Sequence, residues 1–517
     1  MSQLQQTRRL DAVRARAVDL RPVGATPWLL ALGATLALGA LLRLWEIDGV
    51  GFNSDEAVYT GQAASIANVS ELEEFFPIFR AHPLLFQTIL SLGFVLDLGT
   101  PFERITAAAF GLATVWVVYL LGSLLYGRKA GLIAAVFMAL MPYHVIVSRQ
   151  VLLDVPMTLF ATLTLYLLAR YVLTQRPGWL YAAGAGLGLT FLSKETGIIL
   201  LGAVYAFFVL TPEVRVKTRE LLLSAAIMAV IIVQFPLALL IAGSAERGGN
   251  YLAWQLFRRA NHDLFFYPTT LPQIIGPLVI VAAIAGLFLL RRERSWRETL
   301  LIAWIGLPIL FFELYPVKGF QYLLLAAPPL AVLAARTIAL WSPTGRLSGR
   351  GWLMPLATAL VAVSLAVPSW LLVQESSSTS RLAGSGGVPG GREAGRWIDE
   401  HVPKGSQLMT IGPSMANILQ YYGHRKAYAL SVSTNPLNRN PSYQPVRNPD
   451  LQIRNNEFQY LVWDSFSADR SNFFSEGLLR YADRFDGRIV HTESAEVESG
   501  DGHTVRKPII VVYQVRP

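Results

Sequence analysis

The sequence predicts an α-helical polytopic membrane protein, with about eleven transmembrane helices, followed by a C-terminal soluble α/β domain. Three observations carry this expectation. The 517 residues are 53% hydrophobic and only 15% charged, against roughly 25% charged in soluble domains, and the mean hydropathy is +0.41. Apolar runs of spanning length recur up to residue 373. Beyond it the composition turns Gly/Ser-rich, then alternates strand-like and helix-like segments.

Taking the elements in order, residues 1–26 are a basic, polar N-terminus. No small-residue cleavage site follows the first apolar run, which reads as a retained span and not a signal peptide. Spans are expected near 27–46, 104–126, 130–148, 156–174, 178–193, 197–211, 220–243, 272–290, 298–314, 320–341 and 352–373. Basic clusters fall on every second connection: Arg8 to Arg21, Arg128-Lys129, Arg170 and Arg176, Arg215 to Arg219, Arg291 to Arg297, and Arg346 and Arg350. By the positive-inside rule these connections are cytoplasmic. The N-terminus is then inside and the C-terminal domain extracytoplasmic.

The run 82–99 would invert every later basic loop if it crossed. Its apolar core is short and it ends at Asp97, so it is expected to lie in the outer interface. The first external loop is then 47–103. Residues 374–391 form a Gly/Ser-rich linker, and 392–517 the α/β domain, with "REAGRWIDEHVP" helical and "QLMTIG", "FQYLVWD" and "KPIIVVYQV" as strands. No internal repeat is visible. The absence of cysteine excludes disulfides, cysteine nucleophiles and cysteine-ligated metals. The net charge of +9 belongs to the orienting loops and is not a nucleic-acid signal.

Ionisable residues at membrane depth are costly and mark function. On this map they gather at the outer ends of spans: Asp55, Glu56 and His82 in the first loop, Arg149 and Asp154 in "SRQVLLDVP", Lys194 and Glu195 in "FLSKETG", Arg258 and Arg259 with His262 and Asp263, and Lys318 with Tyr322. A carboxylate there can serve as a general base, because burial raises its pKa. Cations beside it can hold a phosphate leaving group at headgroup level. Each piece also has a plain structural reading. Asp55 can cap a short helix, helped by Asn53 or Ser54, and Asp154 can open one before Pro156. Lys194-Glu195 can be an ion pair, Arg258-Arg259 can meet lipid headgroups, Lys318 can snorkel, and His82 before Pro83 can simply start a helix. Trp45, Trp179 and Trp254 read as interface belts.

In their order along the chain, "FNSDEAVYTGQA", "HPLLFQ", the segment from "FERITAAAF" through "YGRKAGLIAAVF" to "SRQVLLDVPM", "LGLTFLSKETG" and "VKGFQYLLLAAPP" resemble the GT-C class of membrane glycosyltransferases, near the protein O-mannosyltransferase and aminoarabinose-transferase branches. The resemblance covers about residues 27–340. It implies transfer of a sugar from a polyprenyl-phosphate donor to a protein, lipid or glycan acceptor on the extracytoplasmic face, with inversion. It implies Asp55 as base with Glu56 in support. Lys194, Arg258, Arg259, Lys318 and Tyr322 would meet donor phosphate, and His82, Arg149, Asp154 and Glu195 would support the site. "HPL" stands where relatives often show "HPP". No cofactor is implied for this branch; Asp55, Glu56 and Asp154 could together offer hard oxygens to Mg²⁺ or Mn²⁺. A flippase for an amphiphilic lipid and a non-catalytic assembly subunit are the other readings the sequence leaves open. The C-terminal domain matches no family on its residues.

Overall fold

The computed structural model describes residues 25–258, 260, 262–289, 291, 294–340, 351–374, 389–498 and 504–516. The basic N-terminus up to residue 24, most of the expected linker, Arg259, Arg346 and Arg350 lie outside the described residues.

In a bilayer core every backbone polar group must be satisfied within the chain, so the apolar runs fold as helices. Among the described residues six helices are long and apolar enough to cross: Pro27–Leu44, Phe102–Tyr126, Asp154–Thr174, Thr218–Ile241, Phe320–Ala339 and Leu353–Gln374. A seventh span results if Phe266–Ile275 and Pro277–Leu289, bent by 101°, count as one. The chain is a multi-pass membrane protein.

Length and apolarity thus do not reach the expected eleven, and the reasons are local. The run 130–148 is split into Arg128–Leu140 and Pro142–Val147, with Met141 extended between them because it precedes a proline. The run 197–211 opens as a 3₁₀ turn, Glu195–Ile199, before the short helix Leu200–Leu210. The run 272–290 turns sharply where Gly276, at φ +96°, meets Pro277. Segment 82–99, not counted among the eleven, forms only Leu85–Val95; eleven residues rise about 16 Å, half the roughly 30 Å hydrocarbon core.

The helix Phe102–Tyr126 carries a polar network at each end. At one end Tyr126 Oη donates to Glu298 Oε1 (2.7 Å), which also pairs with Arg336 (3.2 Å). Glu298 closes a capping box with Ser295 at the start of helix Trp296–Leu314. At the other end Arg104 grips Glu56 through two parallel bonds, Nε to Oε1 at 2.7 Å and Nη2 to Oε2 at 2.8 Å. The same guanidinium donates to the carbonyls of Ile47, Val50 and Gly51. Glu56 also accepts from the backbone N–H of Asn53 and of Val151. One buried pair thus ties the first loop, the 148–153 connection and a long helix together.

The C-terminal domain is a five-stranded sheet in the order β2-β1-β3-β5-β4. The strands are β1 (Gln407–Thr410), β2 (Lys426–Ala429), β3 (Tyr460–Asp464), β4 (Arg488–Glu498) and β5 (Thr504–Gln514). β1 runs parallel to β2 and β3, while β5 is antiparallel to β3 and β4. One core packs helix Gly391–His401 and helix Pro413–Gly423 on the sheet, and a second forms around Leu478 and Phe485.

The domain is seated on the first loop. Phe52 and Phe76 pack against Tyr421, Phe52 N–H donates to Tyr422 Oη (2.9 Å), and Asn417 Nδ2 donates to Ser54 Oγ (3.0 Å).

Removing one member of a buried, fully bonded pair leaves the other charged and unpaired, a loss of about 3–5 kcal/mol. Arg104→Met should therefore lower the thermal midpoint of the detergent-solubilised protein by several degrees. An unchanged midpoint would show that Glu56 finds another partner.

Candidate active site

Helix Ser54–Ile66 begins where Asn53 Oδ1 accepts the N–H groups of Asp55 and Glu56 (2.9 and 3.0 Å), while Glu56 answers back to the Asn53 N–H. Asn53 and Glu56 therefore do the capping, not Asp55. The Asp55 carboxylate is spared, and among the described residues no hydrogen bond involves it. It faces a cavity of about 2650 Å³ between the helical bundle and the C-terminal domain.

Of the expected site residues, Asp55, His82, Lys194, Glu195, Arg258, Lys318 and Tyr322 line this one cavity. They come from five separated stretches of chain, which no spacing rule could have joined. Asp154 stands behind the wall and receives both its bonds from Lys194 Nζ, each at 2.9 Å. Lys194 in turn lies 5.0 Å from the Tyr322 ring centre.

Two expected residues are turned elsewhere. Glu56 is consumed by Arg104 and the backbone, and so positions the helix that carries Asp55. Arg149 donates to the carbonyls of Leu42, Arg43 and Trp45, closing the C-terminal end of helix Ala25–Leu44.

His82 joins a relay across the cavity mouth. Its Nδ1 lies 2.8 Å from Glu195 Oε2, and its Nε2 lies 3.2 Å from Tyr251 Oη. Tyr251 Oη also accepts from Gln255 Nε2 (2.7 Å). The expected Lys194-Glu195 pair is thus replaced by two others, Lys194 with Asp154 and Glu195 with His82. Lys318 holds Glu313 at 2.7 Å. Arg258 differs: its guanidinium lies over Trp254 (4.5 Å to the ring centre) and donates to the neutral Gln255 Oε1 (3.1 Å). Trp254 also lines the cavity.

The sequence reading missed Arg104, Tyr251, Arg80 and Glu313. An arginine opening the apolar run "FERITAAAF" was a visible signal for the first. Tyr251 had none, since its partner His82 is 169 residues away.

Burial pushes the Asp55 carboxyl up from its ordinary range; Lys194, His82 and Arg80 pull it down, and Asp154 adds to the rise. The carboxylate is open to the cavity yet surrounded by protein beyond it, so the upward push is that of a pocket floor. The acids do not fit a divalent cation. Glu56 is saturated by Arg104 and Asp154 by Lys194, and among the described residues no three His, Asp or Glu side chains converge.

Residues 81–238 match the family described as dolichyl-phosphate-mannose-protein mannosyltransferase. The chain is similar to the undecaprenyl phosphate-alpha-4-amino-4-deoxy-L-arabinose arabinosyl transferases of Pectobacterium carotovorum, 26% identical over 281 residues, and of Yersinia pestis, 25% over 237. These alignments take in 52% and 42% of this chain and 47% and 42% of those proteins. The chain spans about half the length of the curated relatives it matches. The structure resembles that of ArnT from Cupriavidus metallidurans, with a TM-score of 0.67 at 15% identity, over 94% of this chain and 98% of that one. The chain has the GT-C fold. The archaeal oligosaccharyltransferase AglB of Archaeoglobus fulgidus has a similar structure, with a TM-score of 0.57 at 13% identity, over 93% of this chain and 74% of that one. In the GT-C fold of this chain both the helical bundle and the C-terminal domain wall the cavity.

Because Lys194 and Asp154 neutralise each other in a buried setting, Lys194→Met alone should destabilise the protein by about 3–5 kcal/mol. Lys194→Met with Asp154→Leu should recover most of that loss. Thermal unfolding of the three proteins in one detergent checks this; a double variant no better than the single would show that the pair is not the relevant unit.

Proposed function

We propose that the chain is a glycosyltransferase that moves a sugar from a polyprenyl-phosphate carrier to an acceptor hydroxyl, with inversion at the anomeric carbon. The observation that carries this reading is one cavity holding an unbonded carboxylate, Asp55, opposite a group of cations and phenols. Asp55 accepts the proton of the acceptor hydroxyl as its oxygen attacks the anomeric carbon. The bond from that carbon to the phosphate oxygen breaks, and the phosphate leaves with the electron pair.

Arg258 is the main counter-charge for that phosphate, since its partners among the described residues are neutral. Lys194 and Lys318 already hold carboxylates, so they offer N–H donors without net charge, and Tyr322 adds a hydroxyl. The apolar lining at Ile232, Phe235, Leu239 and Leu240 suits the carrier chain. His82 and Glu195 keep the wall in place through Tyr251, and Glu56 and Arg149 hold the scaffold behind it. Arg259 is offered as a further phosphate contact from its place beside Arg258.

The finer topology belongs to the same reading: about eleven crossings, a cytoplasmic N-terminus, and the cavity and C-terminal domain on the extracytoplasmic side. It is supported by Asp55 and the C-terminal domain sharing one end of the bundle, while Arg128-Lys129 follow the opposite end of helix Phe102–Tyr126. The charged groups sit at helix ends and not along a midplane path, which favours an enzyme over a flippase.

Purified protein incubated with a panel of polyprenyl-phosphate sugars should release lipid phosphate in the presence of acceptor. Asp55→Asn should lower kcat/KM by about 10²–10⁴-fold while leaving donor affinity unchanged; wild-type transfer in this variant would remove Asp55 from the role of base. Arg258→Gln should weaken donor binding by roughly 10–100-fold, the cost of one charge-assisted bond of about 1.5–3 kcal/mol.

A base works only when ionised, so kcat/KM should fall as pH drops through the Asp55 pKa. Because burial raises that pKa, the fall should begin above the ordinary aspartate range, and a pH–rate profile reads it directly.

A further inference from the structure

The joint between the first loop and the C-terminal domain encloses a second cavity, of about 270 Å³. Pro413, Val432 and Tyr443 line both this cavity and the one that Asp55 faces, and so stand between the two. Two cations line the second cavity, Arg80 from the first loop and Lys426 from the start of β2.

Buried cations elsewhere in the chain meet an acid or spend their donors on the protein. Arg104, Lys194, Lys318 and Arg425 each pair with a carboxylate. Arg43 has no acid, but bonds the carbonyls of Gly39 and Ala139 and the side chains of Ser148 and His144. Arg80 does neither. It is 8% exposed, and among the described residues its guanidinium makes one hydrogen bond, from Nη2 to Asn417 Oδ1 (3.2 Å). A guanidinium carries five N–H donors, so most of them have no protein acceptor there.

The remaining contacts of both cations are with rings. Arg80 lies 5.2 Å from the ring centre of Tyr443, and Lys426 5.9 Å from that of Phe75. A ring face attracts a cation without neutralising it. Glu74 also lines the cavity, but it is exposed and, among the described residues, forms no ion pair with either cation. Gln420 spends its carbonyl on the Ala427 N–H (3.4 Å), which leaves its N–H₂ group to donate, and Tyr428 adds a hydroxyl. Two uncompensated positive charges with neutral donors around them match a doubly charged oxyanion, and a phosphate monoester carries a charge of about −1.5 to −2 at pH 7.

The cavity is tied to Asp55. Asn417, which accepts from Arg80, donates to Ser54 Oγ (3.0 Å), the residue before Asp55, and Ser442 Oγ donates to the Arg80 carbonyl (3.0 Å). Arg80 is also among the charges that act on the Asp55 carboxyl.

We infer that this second cavity is a phosphate-binding site, in which Arg80 and Lys426 hold one phosphate group between the first loop and the C-terminal domain. The phosphate is free or belongs to a lipid headgroup. Bound there, it links the two sides through its oxygens and stiffens the mount of Asp55. The inference goes beyond the transferase reading and does not depend on it.

The test uses full-length protein in detergent with radiolabelled inorganic phosphate and no sugar donor. Arg258→Gln is the background, so that the donor phosphate subsite does not contribute. Equilibrium dialysis should show one saturable site, unchanged by sodium chloride at matched ionic strength. Arg80→Gln and Lys426→Gln should each weaken it about tenfold or more, the effect of one charge-assisted bond. Lys426 donates no hydrogen bond to the joint among the described residues, so its variant keeps the joint intact; an unchanged thermal midpoint without phosphate checks this. Phosphate should also slow hydrogen exchange in helix Pro413–Gly423, and lose that effect in Lys426→Gln. Nanodiscs of phosphatidylcholine with and without phosphatidic acid separate the sources. Protection already present with phosphatidic acid assigns the site to a headgroup, and protection that needs added phosphate assigns it to the free ion. No saturable binding in the Arg258→Gln protein, or affinity unchanged by both Arg80→Gln and Lys426→Gln, overturns the inference.

Discussion

The bidentate contact between Glu56 and Arg104 is the constraint on which the rest of the site depends. A carboxylate and a guanidinium buried together are tolerable only when every remaining donor and acceptor is met. Here they are met by the backbone of three segments: residues 47–53, Val151 and the first turn of helix Ser54–Ile66. The pair therefore fixes the start of that helix, and with it the direction of Asp55. The adjacent acids have opposite fates because helix geometry turns successive side chains about 100° apart. Glu56 points into the scaffold and Asp55 into the cavity.

The electrostatics of the cavity follow from which charges are paired. Lys194 and Lys318 each bring a carboxylate partner, so they shape the wall without making it strongly positive. Arg258 brings an indole face and an amide. A site built this way concentrates its positive charge at one place and its basicity at another. That separation is what an in-line displacement between a phosphate and a hydroxyl requires. The relay from Gln255 through Tyr251 and His82 to Glu195 then ties helix Ala245–Leu256 to the bundle across the same opening.

The C-terminal sheet is not a detached appendage. Its contacts with Asp48, Phe52, Ser54 and Arg80 all fall on the first loop, the segment that presents Asp55. Burial of Phe52, Phe76 and Tyr421 in one small cluster gives that junction an apolar centre of its own.

Composition and apolar run length were enough to determine a multi-pass helical protein with a C-terminal α/β domain, because lipid leaves the backbone few other choices. The one-sided placement of Asp55, His82, Lys194, Arg258 and Lys318 was legible for the same reason, since charge is expelled to helix ends. What the sequence could not supply was which side chain meets which. Lys194 sits beside Glu195 in the chain yet pairs with Asp154, because backbone turning between neighbours outweighs their proximity in sequence. Asp55 and Glu56 differ by one position, and only packing against Arg104 separates a free carboxylate from a buried strut. The broken helices at Met141 and Gly276 were likewise decided by backbone geometry that an apolar run conceals. The joining of five distant stretches and a soluble sheet into one cavity was settled by tertiary packing alone, which brings together residues that local propensity and hydropathy never relate.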